Sequence, residues 1–385
     1  MRFQLVVVLA IVLALVPLNA AGGSDPASSL IDERLDKIDF TEVERVLREA
    51  QEEAGEYLLP LGFADAVKQA VSGKSFFDTG ALVLGLSRYV FGEVASNLGL
   101  LGQLIFLAVI AALLTNLQTA FGSEAVGRLA YAVCFLVLAL LAIASFSGAV
   151  AIAREAVTSL VTFMLALLPA LSTLLAAMGA PVSAALIHPA MVAVITIVSQ
   201  VISDLVFPLL LFSATLDLVG HVSDDFDLSG LTSLLRQVAV FVLGASLSVF
   251  LGVVVVRKAA GEVTDGMALR TAKFVSGTFI PVVGKMFSDA AELVFSSSLL
   301  LKNAVGAVGM IGILVVCAFP LLKIICLVFV YRLGQALIAP VGAGRLANCL
   351  GSIANSLLVL WASLASVALM FFLSITILMN VARPY

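Results

Sequence analysis

Gly277, Gly284 and Lys285 come nearest to a reactive arrangement in this sequence. Paired glycines ahead of a lysine can wrap a phosphate, with backbone N–H groups and the ammonium sharing its charge. That device needs four residues between the glycines and a Ser or Thr after the Lys. Here six intervene and Met286 follows, so the stretch is not a nucleotide site. The two histidines, His188 and His221, are too few and too far apart for a His-based metal centre. Cys134, Cys317, Cys326 and Cys349 show no metal-ligand spacing and read as structural. Neither G-x-S-x-G nor H-E-x-x-H occurs. The expectation is a protein that is not an enzyme, with no catalytic residue, cofactor or metal.

Charge inside apolar sequence is the other place where chemistry could sit. Asp204, Lys323 and Arg332 each fall within a long apolar stretch. A charge at mid-bilayer costs about 2.5–3.5 kcal/mol on insertion scales, so such groups face protein or water. One reading makes them a polar lining or an interhelical ion pair. The other lets each sit near a kink or interface, the two cations reaching out along their stems. The row Gly306, Gly309, Gly312 in "GAVGMIG" reads as a close helix-packing face.

The elements that must carry these residues are apolar helices. The chain has 385 residues, 62% hydrophobic and 12% charged, and its mean hydropathy is +1.16. Soluble domains hold about twice that charge. Apolar runs of about 20 residues recur without the alternation of barrel strands. The fold class is therefore all-α, a polytopic helical membrane protein. No dense basic patch exists, so nucleic acid is not a partner.

Residues 1–21 read as a signal peptide: Arg2, then apolar Leu5 to Val16, then Pro17 and a small residue at Ala20. Residues 22–96 form a small extracytoplasmic helical region, acidic from Asp25 to Glu56. Phe40, Val43, Val46, Leu47 and Ala50 recur there at helical spacing, after N-cap candidates Asp39 and Thr41. It reads as a cap on the membrane domain or as a docking surface. Residues 97–256 hold about five spans: Leu98–Phe121, Leu129–Val150, Ala156–Met178, His188–Gly220 and Leu231–Val256. Residues 304–385 hold two or three more, depending on whether Val305–Ala339 crosses once or folds back at Pro320; Pro208 poses the same question in the fourth span.

Between these lies residues 257–303, placed in the cytoplasm by Arg257, Lys258, Arg270, Lys273, Lys285 and Lys302. A helix is expected from Val282, with Lys285, Asp289 and Glu292 on its polar face. Gly277 and Pro281 should break the chain just before it. The candidate assembly or gating element is thus Gly277, Pro281, Gly284, Lys285, Asp289 and Glu292. The plainer alternative is an amphipathic connector on the membrane surface or a re-entrant elbow.

Several stretches resemble the stage III sporulation protein AE family: "SGKSFFDTGALVLGL", "LLPALSTLLAAMGAPVSAALIHP", "DGMALRTAKFVSGTFIPVVGKMFSDA", "SLLLKNAVGAVG", "CAFPLLKI" and "MFFLSITI". The resemblance runs from about Leu58 to the C-terminus. It implies a role in sporulation, in the mother-cell membrane engulfing the forespore. The implied partners are the membrane, the other proteins of the stage III A sporulation operon and, across the intermembrane space, stage II sporulation protein Q. Together they imply a channel or secretion-like complex supporting late forespore gene expression and forespore integrity. The resemblance carries over no catalytic residues. A stand-alone secondary transporter would need paired repeats, and no motif recurs. A membrane scaffold with no conduit of its own is the other alternative.

Overall fold

A computed structural model describes residues 35, 38–54, 62–72, 79–121, 124–220, 228–279, 283–341 and 344–381; at 51–54, 79–84, 86, 114–121, 124–131, 262, 266–279, 283–293 and 341 it describes the backbone only. The signal-peptide reading, His221 and Pro281 lie outside the described residues. The described elements are helices.

The first, α1 (Thr41–Ala54), begins where Asp39 Oδ1 accepts the Thr41 N–H at 2.9 Å. The Thr41 hydrogen bonds hold the Asp39 carboxyl below its ordinary value of 3.8. Phe40, Val43, Val46 and Leu47 are buried, as their spacing requires. The opposite face carries Arg45 between Glu42 and Glu49, at 2.8 and 2.7 Å. In α2 (Phe63–Val71) the buried face is Phe63, Ala66, Val67 and Ala70. The rings of Phe40 and Phe63 meet with centroids 5.0 Å apart. Glu44 Oε1 accepts the Ala64 N–H at 3.4 Å. Both helices rest on the long helices of the bundle, so the N-terminal region is part of the core.

The next two helices, α3 (Thr79–Ser96) and α4 (Leu98–Phe121), are joined at Asn97 without loss of the helical ladder, since Leu101 N–H bonds Asn97 O at 3.1 Å. Apolar helix therefore precedes Leu98, where the sequence reading began the span: among the described residues it covers Ser87–Leu113.

A larger correction concerns α5 (Glu124–Ala177), one helix of 54 residues where two spans were expected. The sequence reading stopped at the charges of Arg154 and Glu155. Ala151, Ile152, Ala153, Arg154, Glu155 and Ala156 contain no turn residue, and Ala, Arg and Glu are strong helix formers. Charge interrupts hydropathy here without interrupting the backbone. The helix ends at Gly179, whose φ of 77° is the left-handed conformation that suits glycine. Ala180 N–H bonds Leu175 O at 3.2 Å and Gly179 N–H bonds Ala176 O at 3.1 Å, the paired pattern of a Schellman end. Pro181 then opens α6 (Pro181–Val201).

A π-helical turn, Ile202–Val206, links α6 to α7 (Phe207–Gly220). Pro208 stands two residues after the end of that turn, behind Phe207. Its ring lacks an N–H and crowds the carbonyl four residues back, and the wider turn takes up the conflict. The chain does not fold back there. Nor does it at Pro320, which lies inside α9 (Val283–Ile338). Before α9 comes α8 (Ser229–Phe279) and after it α10 (Gly344–Met379).

Among the described residues, six helical segments are long and apolar enough to cross a membrane: Ser87–Leu113, Ala132–Ala177, Pro181–Gly220, Ser229–Asp265, Val294–Ile338 and Gly344–Met379. The protein is a multi-pass helical membrane protein. The core is the contact of α9 with α10, α5 and their neighbours. Small residues make it close. A Cβ on Gly306 would meet Met379 Sδ at 2.6 Å, one on Gly309 would meet Leu167 Cδ2 at 2.7 Å, and one on Gly312 would meet Phe163 Cε2 at 2.9 Å. The glycine row is a packing face, as its spacing suggested.

Helix directions correct the expected topology. Tyr89 packs edge-on to Phe319 at 4.8 Å, and Leu101 lies against Gly334. Sequence number rises together along both helices, so α3–α4 runs parallel to α9. The segments that lead into them start from the same end of the bundle. Residues 22–96 and 257–303 were expected on opposite sides; four apolar helices separate them, not five. The connector also shrinks, because α8 continues to Phe279 and α9 begins at Val283. Gly277 does not break the helix; it lies within α8. Lys302 is no loop cation, being fully buried in α9.

Candidate functional site

Among the described residues, polar constellations assembled from different helices interrupt the apolar bundle. At one end, Pro181 supplies no N–H, and the next two donors of α6 point out of the helix. Asp265 of α8 answers both: Oδ1 accepts from Val182 N–H at 3.0 Å and Oδ2 from Ser183 N–H at 2.8 Å. The carboxylate is buried and faces the positive end of the helix dipole. One turn earlier on α8, Gly261 lets the two backbones touch, since a Cβ there would stand 2.7 Å from Ser183 Cα. Elsewhere in the core, Lys302 donates from Nζ to Val381 O at 2.6 Å, just beyond the C-terminus of α10.

At the other end, α7, α8 and α10 converge on an ion pair. Arg236 Nη2 stands 3.5 Å from Asp217 Oδ2, with side chains 29% and 19% exposed. Arg236 Nη2 also donates to Ser356 Oγ at 2.9 Å, and Ser352 Oγ donates to Asp217. This is a clamp across three helices, in which the carboxylate holds both the guanidinium and the Ser352 hydroxyl.

Between the two ends, α5 meets the π-helical turn. Arg154 Nη2 donates to Ser203 O at 2.8 Å. Glu155 lies beside it on α5 and Asp204 beside Ser203, and all three charged side chains are exposed. Neither carboxylate has an ion pair or hydrogen bond among the described residues.

The other residues expected from sequence are dispersed. Lys323 is half-buried in α9. Arg332 is exposed on α9 and donates to Gln335 Oε1 at 3.3 Å and to Asn355 Oδ1 at 2.6 Å, tying α9 to α10. Gly277 is in α8, and Gly284, Lys285, Asp289 and Glu292 are in the first turns of α9, where only the backbone is described. Lys323 and Arg332 belong to neither terminal constellation. His188 Nδ1 shares a hydrogen bond with Ser172 Oγ at 3.1 Å across α5 and α6.

Asp217, Arg236, Asp265 and Arg154 were not singled out by sequence, and Lys302 was read only as a loop cation. Two signals existed. Arg236 lies inside an apolar run as plainly as Asp204 does, and Arg154 sits between two expected spans with no helix breaker. Asp265 left no local signal, because its partners are 82 and 83 residues away.

Comparison with known proteins gives a consistent result. The family model described as stage III sporulation protein AE matches residues 61–382. A curated relative, "Stage III sporulation protein AE" of Bacillus subtilis (strain 168), is 40% identical over 323 residues, covering 84% of this chain and 81% of the relative. No solved structure matches the chain.

Proposed function

The chain belongs to the stage III sporulation protein AE family, and on that premise we propose that it is an integral membrane subunit of a sporulation-specific, channel-like or secretion-like complex. In this reading it sits in the mother-cell membrane engulfing the forespore. It works with the other proteins of the stage III A sporulation operon and with stage II sporulation protein Q across the intermembrane space. Its role is to support late forespore gene expression and forespore integrity.

Family membership is the observation that carries the reading. The character of the polar groups is in keeping with it. Asp265, Lys302 and the Asp217–Arg236 pair join helices to one another, as a subunit of fixed shape requires. The proposed docking element is the start of α9, with Lys285, Asp289 and Glu292. A stripe of mixed sign gains little from anionic lipid, where each cation is worth about 1 kcal/mol; it suits a protein surface better.

Asp289→Lys tests this. It puts two cations at i, i+4 with Lys285, on an expected polar face. The variant should insert at normal levels, lose co-purification with the operon partners from sporulating cells, and arrest sporulation after engulfment. Normal spore yield at native expression would remove the docking role and leave a surface connector. Robust gradient-driven uptake by the purified chain in liposomes would instead favour a stand-alone transporter.

A further inference from the structure

The charges in the middle of the bundle sit where lipid should be. Helix α8 gives the depth. Its exposed face is strongly apolar, with Phe241 74%, Val249 59% and Val256 66% exposed, and it closes at Arg257 and Lys258. Helices α6–α7 are registered against α8 at both ends, by Asp265 on Val182 and Ser183 and by Asp217 beside Arg236. Ser203 lies between these two points, level with the Phe241–Val249 part of α8. Arg154, Glu155 and Asp204 are therefore at hydrocarbon depth, and exposed.

The surface around them differs from that of α8. Leu140, Ile197 and Leu205 are 59%, 57% and 45% exposed, but strictly between Leu140 and Ile197, over most of α5 and α6, no large apolar side chain is exposed. The exposed positions there are small or hydroxylated, such as Gly148, Ala151, Thr158 and Ala193. Gln200 is exposed one helical turn before Asp204. Lipid would charge about 3 kcal/mol for each ionised group at this depth. A protein partner would have to neutralise two carboxylates that have no partner among the described residues, and leaving either one buried and unpaired is strongly unfavourable. Water would solvate all of these groups without either cost. The π-helical turn adds to this, because it turns the Ser203 carbonyl outward to Arg154, and backbone carbonyls at membrane depth are tolerated where they line a cavity.

We propose that the face of α5 and α6 carrying Arg154, Glu155, Thr158, Gln200 and Asp204 is turned to water within the membrane, as one wall of a hydrated passage through the assembled complex. This rests on the reading that the chain works in a conduit-forming assembly. One guanidinium against two carboxylates leaves the wall net negative, so it favours cationic over anionic solutes.

Cysteine accessibility tests it in the assembled complex, in membranes from sporulating cells. Cysteine is placed at Thr158 and Gln200 on the wall, and at Phe241 and Val249 on α8. The parent protein, with its own four cysteines, sets the background. A thiol reacts as the thiolate, which needs water, so a permanently charged methanethiosulfonate should label the wall positions at least ~10-fold faster than the α8 positions. At Gln200→Cys the cationic reagent should react several-fold faster than the anionic one, and Asp204→Asn should shrink that difference. Wall cysteines that stay unlabelled in a complex that still forms and supports sporulation would overturn the passage. So would spontaneous disulfide cross-linking of Ala151→Cys between copies, which would make the face a subunit interface. Wall labelling in a chain that never co-purifies with a partner would sink the assembly reading and leave the water-facing wall standing.

Discussion

Asp265 shows how one side chain can hold two helices that the chain visits far apart. Its two oxygens meet two donors that Pro181 leaves at the start of α6. In a buried place the alternative is two orphaned N–H groups, each costing about 1–3 kcal/mol. Asp265→Ala should therefore lower the unfolding midpoint in detergent by an amount equivalent to about 2–4 kcal/mol, given partial relaxation. Asp265→Asn keeps one acceptor and should lose less. Equal midpoints for Ala, Asn and the parent would show that water caps α6 instead. Lys302 works in the same manner at the opposite polarity, a cation at a helix C-terminus. It was read from sequence as one of the cytoplasmic charges; burial in α9 removes it from that count.

Among the elements, α9 organises the molecule. It meets α5 through Gly309 and Gly312, and α10 through Gly306. Without a hydrophobic driving force between helices in lipid, close backbone approach and dispersion supply the attraction. Gly309→Leu must displace Leu167, and Gly312→Leu must displace the Phe163 ring. Overpacking of this kind costs about 1–3 kcal/mol, so each variant should unfold earlier on a thermal ramp. Gly252→Leu on the open face of α8, where a Cβ meets nothing within 4 Å, should leave the midpoint unmoved. A loss at Gly252 as large as at Gly309 would mean that the row is no special seam. The glycine row was legible in sequence because its period matches one helix face. The amphipathic face of α1 was legible for the same reason, and Phe40, Val43, Val46 and Leu47 are buried together. The long helix α5 was not, because hydropathy falls at Arg154 and Glu155 while helix propensity does not.

For the whole molecule the decisive relation is the parallel course of α3–α4 and α9. It brings the start of α3 and the start of α9 to one end. Single cysteines at Ser72 and Ser276 should accordingly label from the same side of the membrane with an impermeant reagent. Labelling from opposite sides would require a fifth crossing between them. The sequence reading placed them apart because it counted two spans where α5 is one helix and took Lys302 for a loop cation. The Asp217–Arg236 clamp and the Asp265 cap stand at opposite ends of the α6–α8 region, and the charged patch at the π-helical turn lies between them.

What the sequence by itself determined is what depends on neighbours in the chain. Apolar length makes membrane helices, a period of 3.6 residues makes buried faces, Gly179 and Pro181 make a sharp turn, and the motif order makes the family. What only the tertiary structure decided is which distant residues meet: Asp265 with Ser183, Arg236 with Asp217, Arg154 with Ser203, Lys302 with Val381. The physical reason is that a charge in an apolar helix must find a partner or water, and many partners satisfy it equally in principle. Local sequence states the need; the packing of whole helices chooses the answer.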